Sequence, residues 1–442
     1  MAKIAPLSGF PEWLPAGRIV EQGILDTLRD TFELHGFSGI ETRAVEPVSQ
    51  LLAKGETSKE IYLLSRLQDR SGAKDAELGL HFDLTVPLAR YVLEHAGHLD
   101  FPFRRYQIQK VWRGERPQDG RFREFIQADV DVVGQDTLAF HHEIELPLVM
   151  ADALAKLPIP KITIHASNRK VAQGFYEAAG IENVEETLRI IDKLDKVGEK
   201  VVRQLLAERV GANDEQIQAA LALAQIQSGD ASFAEQVLAF GYRSELLDTG
   251  LDELVRLVEG ANELLPGSLV ADLKIARGLD YYTGSVYESV MEGHEDLGSV
   301  CSGGRYDSLV SDGKRTFPGV GLSIGVSRML SRIIGKEVIV PSRKVPAVVL
   351  VAVNTEAQRL HAEKTAMELR SRGIAAEVSP NSAKFGKQIK YADKRGIPFV
   401  WFTTDDGEQV KDIRSGEQVA ADGKEWNPPA HDLKPQLCAN AE

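Results

Sequence analysis

The sequence predicts an α+β protein: a core built on an antiparallel sheet with helices, interrupted by a helical insertion and followed by a separate α/β domain. Three observations predict it. Strand-like segments occur on both sides of residues 168–265, a stretch rich in Ala, Leu, Glu and Gln at helical period. Gly335 to Pro346 is punctuated by Gly, Lys and Pro, as linkers are. Beyond Pro346 strand and helix patterns alternate. The 442 residues exceed what one hydrophobic core usually organises. The expected divisions are 1–167 and 266–335 for the two parts of the core, 168–265 for the insertion and 346–430 for the last domain.

From Ile19 to His35 the apolar Val20, Ile24, Leu25, Leu28 and Phe32 recur at helical spacing, and Gly36 follows as a C-cap. Gly39 to Pro47 reads as a short strand stopped by proline, and Leu80–Val86 and Tyr106–Trp112 as further strands. Glu124 to Gly134 alternates, and with Tyr106–Trp112 it brackets a polar loop, an antiparallel pair with a basic tip. Glu186–Glu208 and Asp214–Gln227 read as helices of the insertion. Tyr281–Val290 and Gly319–Ile324 are strands, and a helix begins near Ser327. The last domain is expected to run Ala347–Val353, Thr355–Arg372, Ala375–Val378, Ala383–Arg395 and Pro398–Phe402, ending in a frayed tail from Asn427.

Charge narrows the function. Lys and Arg number 52 against 65 Asp and Glu, a formal net charge of −13 that disfavours general DNA coating and leaves only local nucleic-acid contact. Cys301 and Cys438 are too few for a disulfide framework or a thiolate zinc site, which suits a reducing cytosol. Residues 1–20 are broken by Pro and Gly and lack a signal peptide's apolar core, and no apolar run is long enough to span a bilayer. A cytoplasmic protein with no membrane contact is expected.

The stretch Trp112 to Gly134, WRGERPQDGRFREFIQADVDVVG, sets Arg113, Arg116, Arg121 and Arg123 among Glu115, Glu124 and Phe125. Guanidinium groups on a hairpin can converge on phosphate, which they bind bidentately, although a solvated, self-paired loop is the plainer reading of the charges. Ala276 to Glu288, ARGLDYYTGSVYE, sets Arg277 beside Tyr281 and Tyr282. The arginine could steady developing phosphate charge, and the tyrosines could equally be packing residues. In LHFDLTVPLARY, Leu80 to Tyr91, Asp83 and the Thr85 hydroxyl are a charge-assisted acceptor pair for an ammonium, or Asp83 is a strand-end cap. Gln127 and Asp131 lie four residues apart, on one face of a strand. His141, His142, Glu143 and Glu145 look like metal ligands, but adjacent side chains on a helix diverge, so a surface helix is expected. In KFGKQIKYADKR, Lys384 to Arg395, five basic residues read either as a solvated face or as an RNA contact. Gly55 to Glu60, polar between apolar neighbours, is the candidate mobile loop.

These motifs together resemble the histidyl subgroup of the class II aminoacyl-tRNA synthetases, over nearly the whole chain. The hairpin resembles motif 2, with Trp112 in place of the usual Phe or Tyr. Arg-Gly-Leu-Asp-Tyr-Tyr-Thr resembles the histidyl signature, and GVGLSIGVSRM, Gly319 to Met329, resembles motif 3 with Ser327 where the family usually has Glu. Cys301 to Leu309, CSGGRYDSL, matches a further histidyl pattern, and Ile19 through Pro47 corresponds to motif 1, the dimer-forming helix and strand. The resemblance implies a class II sheet core, a C-terminal anticodon-binding domain and a homodimer. It implies that L-histidine is activated by ATP, with Mg2+ carried by the ATP, and transferred to the 3' end of tRNA(His). In it, Arg113 and Arg277 serve catalysis at the α-phosphate. Glu115, Phe125, Arg121 and Arg328 hold the rest of ATP. Asp83, Leu84 and Thr85 meet the amino group, and Gln127, Asp131, Tyr281, Tyr282 and Tyr306 line the histidine pocket. Asp131 would accept an imidazole N–H, and Arg116 to Gly120 would meet the tRNA acceptor end. The rival expectation is a catalytically inactive, histidine-sensing regulatory subunit of ATP phosphoribosyltransferase, which typically lacks the last domain and degrades the ATP-binding arginines.

Overall fold

The computed structural model describes residues 5–52, 60–66, 77–276, 282–308, 310–311, 313–404 and 407–440. They form two compact units, one of residues 1–11 and 27–332, the other of 12–26 and 333–442.

Helix α1 (Pro15–Leu34) buries the predicted Val20, Ile24, Leu25, Leu28 and Phe32, and Gly36 follows with φ of 77°. In the larger unit come β1 (Ser38–Gly39), β2 (Val45–Pro47), α2 (Val48–Leu51), β3 (Leu63–Leu64) and β4 (Leu78–Leu80), and β2, β4 and β3 make a small sheet. The predicted strand Leu80–Val86 is corrected: the chain leaves β4 and enters α3 (Thr85–His95). Asp83 explains the change, because its Oδ1 accepts the Val86 backbone N–H at 3.0 Å and so holds the first turn of a helix. Pro87 falls within that turn, where its lack of an N–H costs nothing.

The hairpin β5 (Phe103–Trp112) and β6 (Glu124–Val133) is antiparallel from Phe103 opposite Val133 to Trp112 opposite Glu124, as the alternation predicts. After it come α4 (His141–Ala155) and β7 (Ile162–Asn168), then α5 (Arg169–Ala178), α6 (Val184–Ile191), α7 (Leu194–Val197), α8 (Glu199–Leu205) and α9 (Asp214–Ala224). β8 (Gln227–Ser228), α10 (Ser232–Leu238), α11 (Glu245–Leu264) and β9 (Leu269–Asp272) complete this helical stretch. Gly174 of α5 and Gly250 of α11 sit where those two helices meet. A Cβ on Gly174 would lie 2.5 Å from the Leu247 backbone, which is why that helix carries glycine there. β10 (Ser285–Met291), β11 (Cys301–Tyr306), β12 (Gly319–Gly325) and α12 (Val326–Gly335) follow.

One nine-stranded sheet results, ordered β1-β5-β6-β12-β11-β10-β7-β9-β8, antiparallel except where β1 meets β5 and β7 meets β9. One face of its centre is apolar or structurally paired. Ala128, Val130 and Val132 of β6 and Val320, Leu322 and Ile324 of β12 are buried on it. Arg305 of β11 pairs there with Glu143 of α4 at 2.8 Å, and Tyr287 of β10 donates to the Glu143 carbonyl at 2.7 Å. Thus α4 is not the surface helix expected. His142 and Glu143 are buried, His142 hydrogen-bonds Glu145 at 3.0 Å, and Glu145 takes Arg104, so these groups are spent on packing the helix to the sheet.

The smaller unit carries β13 (Ile339–Pro341), β14 (Val349–Val351), α13 (Arg359–Ser371), β15 (Ala376–Val378) and α14 (Phe385–Arg395). β16 (Phe399–Thr404), β17 (Gly407–Asp412), β18 (Gln418–Ala420) and β19 (Leu437–Ala439) follow. Its sheet runs β15-β14-β16-β17-β18, with β14 parallel to both neighbours. The run Ala347–Val353 is apolar throughout because β14 is covered on both faces: Val349 and Val351 pack with Leu369 and Trp401, Leu350 with Ala392 and Phe402. The tail is not frayed. β19 pairs with β13, inside the predicted linker, and Arg414 grips the buried Asp432 through two bonds of 2.9 and 2.8 Å. Among the described residues no helix is long and apolar enough to cross a membrane.

Candidate active site

The other face of the large sheet is polar, and strand register composes it. Residues two apart on a strand share a face. Gln127, Asp129 and Asp131 of β6 therefore point together, opposite Gln109, Gln107 and Arg105 of β5 on one side and Gly325, Ser323 and Gly321 of β12 on the other. Ser302, Gly304 and Tyr306 of β11 continue the row.

At its centre Asp131 is held twice: the Tyr306 hydroxyl donates to Oδ1 at 2.9 Å and Arg105 meets Oδ2 at 2.7 Å. Gln127 Nε2 donates to Ser323 Oγ at 2.7 Å. A pocket of about 30 Å3 opens here between Thr85, Asp129, Asp131, Tyr282 and Tyr306. Glycine makes the floor: a Cβ on Gly321 would stand 2.0 Å from Asp131 Oδ1, and one on Gly319 would stand 2.4 Å from the Tyr306 ring. Replacing Gly321 with alanine is expected to displace Asp131. On the resemblance's assignment of this pocket to histidine, the KM for histidine in an activation assay should rise at least about tenfold, with the KM for ATP little changed. An unaltered KM for histidine would remove Asp131 from histidine binding.

Against this pocket, sharing Ser302 and Ser323 with it, lies a cavity of about 300 Å3 lined by Arg113, Glu115, Arg121, Phe125, Gln127 and Arg328 among others. Its walls come from the hairpin and from α12. Arg113 Nε donates to the Phe82 carbonyl at 2.9 Å, and its guanidinium carbon lies 5.1 Å from the Phe125 ring centre, a cation–π distance. Glu115 pairs with Arg121 at 3.2 Å, an exposed pair worth at most about 1 kcal/mol and so given up cheaply to a phosphate. Arg328, in the first turn of α12, donates to the carbonyls of Ser299 at 2.5 Å and Gly120 at 3.3 Å, tying the hairpin tip to the cavity. Ser327, where the resemblance expects Glu, is buried, and its hydroxyl accepts the Ile126 backbone N–H at 2.9 Å. Trp112 stacks on the buried His81 with ring centres 5.6 Å apart and donates its indole N–H to Glu124, closing the strands where the hairpin loop begins. Burial pushes the His81 imidazole below its ordinary value.

The structure thus brings together Thr85, Asp131, Tyr282 and Tyr306 on one side and Arg113, Glu115, Arg121, Phe125, Arg328 and Gln127, expected beside histidine, on the other. Asp83 is buried just ahead of α3, and Leu84 beside it is fully buried and lines neither opening. Arg277 and Tyr281 lie outside the described residues, as do Leu309 and residues 55–59 of the candidate mobile loop. Two buried charges were missed from sequence. Arg105 is wholly buried, between Asp131 and Asp129, with Asp129 Oδ2 at 3.9 Å. Burial pushes the Asp129 carboxyl up to about 7, Arg105 opposing and Asp131 adding. Asp129 could have been found: it has the strand parity of Gln127 and Asp131. Arg105 could not, because its pairing depends on register.

A polar sheet face that joins a carboxylate-floored pocket to a cavity carrying three arginines is the arrangement expected of an enzyme that brings a small polar substrate to a phosphate group. Comparison with known proteins specifies which. The family model described as histidyl-tRNA synthetase matches residues 9–329, and one described as an anticodon binding domain matches residues 347–425. The chain is 57% identical to the histidine–tRNA ligase of Micrococcus luteus, covering 99% of each chain. It is 56% identical to that of Cutibacterium acnes, covering 98% of this chain and 99% of the other. A crystal structure of histidyl-tRNA synthetase from a Nostoc species superposes with a TM-score of 0.85 at 36% identity, covering 95% of this chain and 97% of that one. The chain belongs to the histidyl-tRNA synthetase family.

Proposed function

We propose that this enzyme activates L-histidine with ATP to histidyl-adenylate and transfers the histidyl group to the 3' end of tRNA(His), each residue acting as follows. The observation that carries the reading is the junction of the two openings at Ser302 and Ser323, where an amino-acid carboxylate in the small pocket would meet the α-phosphate of a nucleotide in the large cavity. The histidine carboxylate attacks the α-phosphorus, the P–O bond to pyrophosphate breaks, and Arg113 and Arg277 stabilise the charge that develops on the phosphoryl oxygens. Phe125 stacks on adenine, Glu115 takes its amino group, and Arg121 and Arg328 hold the outer phosphates. Asp83 and Thr85, with the chain at Leu84, receive the ammonium group, while Gln127, Asp131, Tyr281, Tyr282 and Tyr306 surround the side chain. A ligand without the imidazole N–H would forgo the bond it adds to the buried Asp131 carboxylate beside those from Tyr306 and Arg105, and that loss is the basis of specificity.

Magnesium fits this site as a passenger on ATP: the charged groups lining the cavity are Arg113, Arg121 and Arg328 with the single carboxylate of Glu115, and magnesium prefers phosphate and water oxygens to such a wall. When bound it shields charge on the leaving pyrophosphate. In the second step a terminal ribose hydroxyl of the tRNA attacks the adenylate carbonyl and AMP leaves, with Arg116 to Gly120 meeting the acceptor end and the domain of residues 346–430 meeting the anticodon. Residues 1–167 and 266–335 are assigned to the catalytic core and 168–265 to a helical insertion domain. A homodimer formed through Ile19–Pro47, working in the cytoplasm, completes the reading.

The test is histidine-dependent exchange of labelled pyrophosphate into ATP, with the other amino acids as controls. Exchange with histidine alone is expected. Histidine binding without exchange would favour the regulatory-subunit reading, against which stand the arginines of the cavity and the match to an anticodon binding domain.

A further inference from the structure

Asp129 is a carboxylate bordering the pocket to which the reading above assigns no work. It is 3% exposed, borders the pocket beside Asp131, and its Oδ1 has no hydrogen-bond partner among the described residues. Its neighbour is already engaged twice, by Tyr306 and Arg105, whereas Asp129 meets the same Arg105 only at 3.9 Å. Buried carboxylate oxygens are normally satisfied, and an N–H or a proton on a ligand satisfies this one.

We propose that Asp129 is the second imidazole contact: Asp131 accepts the N–H of one ring nitrogen and Asp129 shares a proton with the other, so that the pocket reads both nitrogens of histidine. This rests on the assignment of that pocket to histidine. The proton balance is simple. The proton sits on the Asp129 carboxyl, which then donates to a neutral ring nitrogen, or on the ring, which then donates as imidazolium to the carboxylate. The pair holds one proton in either arrangement, and no other reactant enters. Facing Asp129 are Arg105 from β5, Asp131 along β6, Ser323 from β12 and Asp83 ahead of α3, while Cys301 of β11 lies on the opposite face of the sheet and is coupled to it only by charge. In that setting the carboxyl titrates near 7, close to where imidazole does, so neither arrangement is strongly preferred over the other. A ligand that keeps one ring nitrogen and replaces the other with carbon satisfies Asp131 alone, and discrimination against it comes from Asp129.

Pyrophosphate exchange by the full-length enzyme tests this, comparing wild type with Asp129→Asn and Asp131→Asn from about pH 6 to 8.5, the range over which imidazole and this carboxyl titrate. The isosteric Asp129→Asn is expected to raise the KM for histidine about tenfold or more and to flatten its pH dependence, with the KM for ATP unchanged within about twofold. A KM for histidine within about twofold of wild type, with the same pH profile, overturns the proposal. Should that variant fold poorly, ring-15N histidine bound to the wild-type enzyme decides. Both nitrogens are expected to resonate as hydrogen-bonded or protonated, and one resonating as a free lone pair refutes the second contact. The two readings fail separately. If Asp131→Asn also leaves histidine use untouched, the pocket assignment falls and this proposal with it; if only Asp131→Asn is impaired, the proposal falls alone.

Discussion

Replacing Arg113 with alanine is expected to slow adenylate formation by about 10²–10³-fold, the usual cost of removing one preorganised group from developing charge. The residue is suited to the role by what surrounds it. One edge of its guanidinium is pinned to the Phe82 carbonyl at 2.9 Å and its carbon lies 5.1 Å from the Phe125 ring centre, so the group is oriented before any ligand arrives. Preorganisation of this kind is lost with the side chain and cannot be restored by solvent. Lysine at this position keeps a charge but not the planar fork, and should recover only part of the rate. The measurement is a single-turnover rate at saturating ATP, with circular dichroism as the check on folding. A loss confined to the KM for ATP would instead make Arg113 a ground-state binder.

Arg105→Met should destabilise the fold by about 3–5 kcal/mol at pH 8, because it leaves two buried carboxylates with no cation between them. Arg105 is fully buried and meets Asp131 at 2.7 Å and Asp129 at 3.9 Å. The pH dependence has a definite sign. The Asp129 carboxyl is raised from 3.8 to about 7, so the folded protein holds this proton more tightly than the unfolded chain does. Stability from that group is fully present below its ordinary value and is lost as pH rises through about 7. Removing Arg105, which opposes the rise, makes the ionised form costlier still. The deficit of the variant should therefore be larger at about pH 8 than at about pH 5 by urea unfolding. Equal deficits at the two values would mean that lost packing, not charge, explains the effect.

Much of the site was legible because its central element is local. Glu124–Gly134 announces itself by alternation and, with Tyr106–Trp112, brackets a polar loop; β6 lies where that pattern puts it, and β5 begins earlier, at Phe103. Where segments are short, pattern misled. Leu80–Val86 is apolar enough for a strand, yet a single bond from Asp83 to the Val86 N–H starts a helix there. Pattern also misjudged α4, whose Glu143 is buried against the sheet because Arg305 and Tyr287, distant in sequence, bond its carboxylate and its backbone carbonyl. The tail from Asn427 looked unanchored, since its anchors, β13 and Arg414, are contributed by other segments.

By itself the sequence determined the class of chemistry, through its resemblance to the histidyl-tRNA synthetases, and it set Gln127 and Asp131 at a spacing that a strand must present together. Tertiary structure alone decided how the charges are balanced. Register between β5 and β6 sets Arg105 opposite Asp131, and register between β6 and β12 sets a glycine, Gly321, where any side chain would collide with that carboxylate. The physical reason is that period-two geometry is a property of each strand, whereas register is a choice among pairings. That choice is made by burying one whole face of the sheet, and a slip of one residue would turn every group on it over.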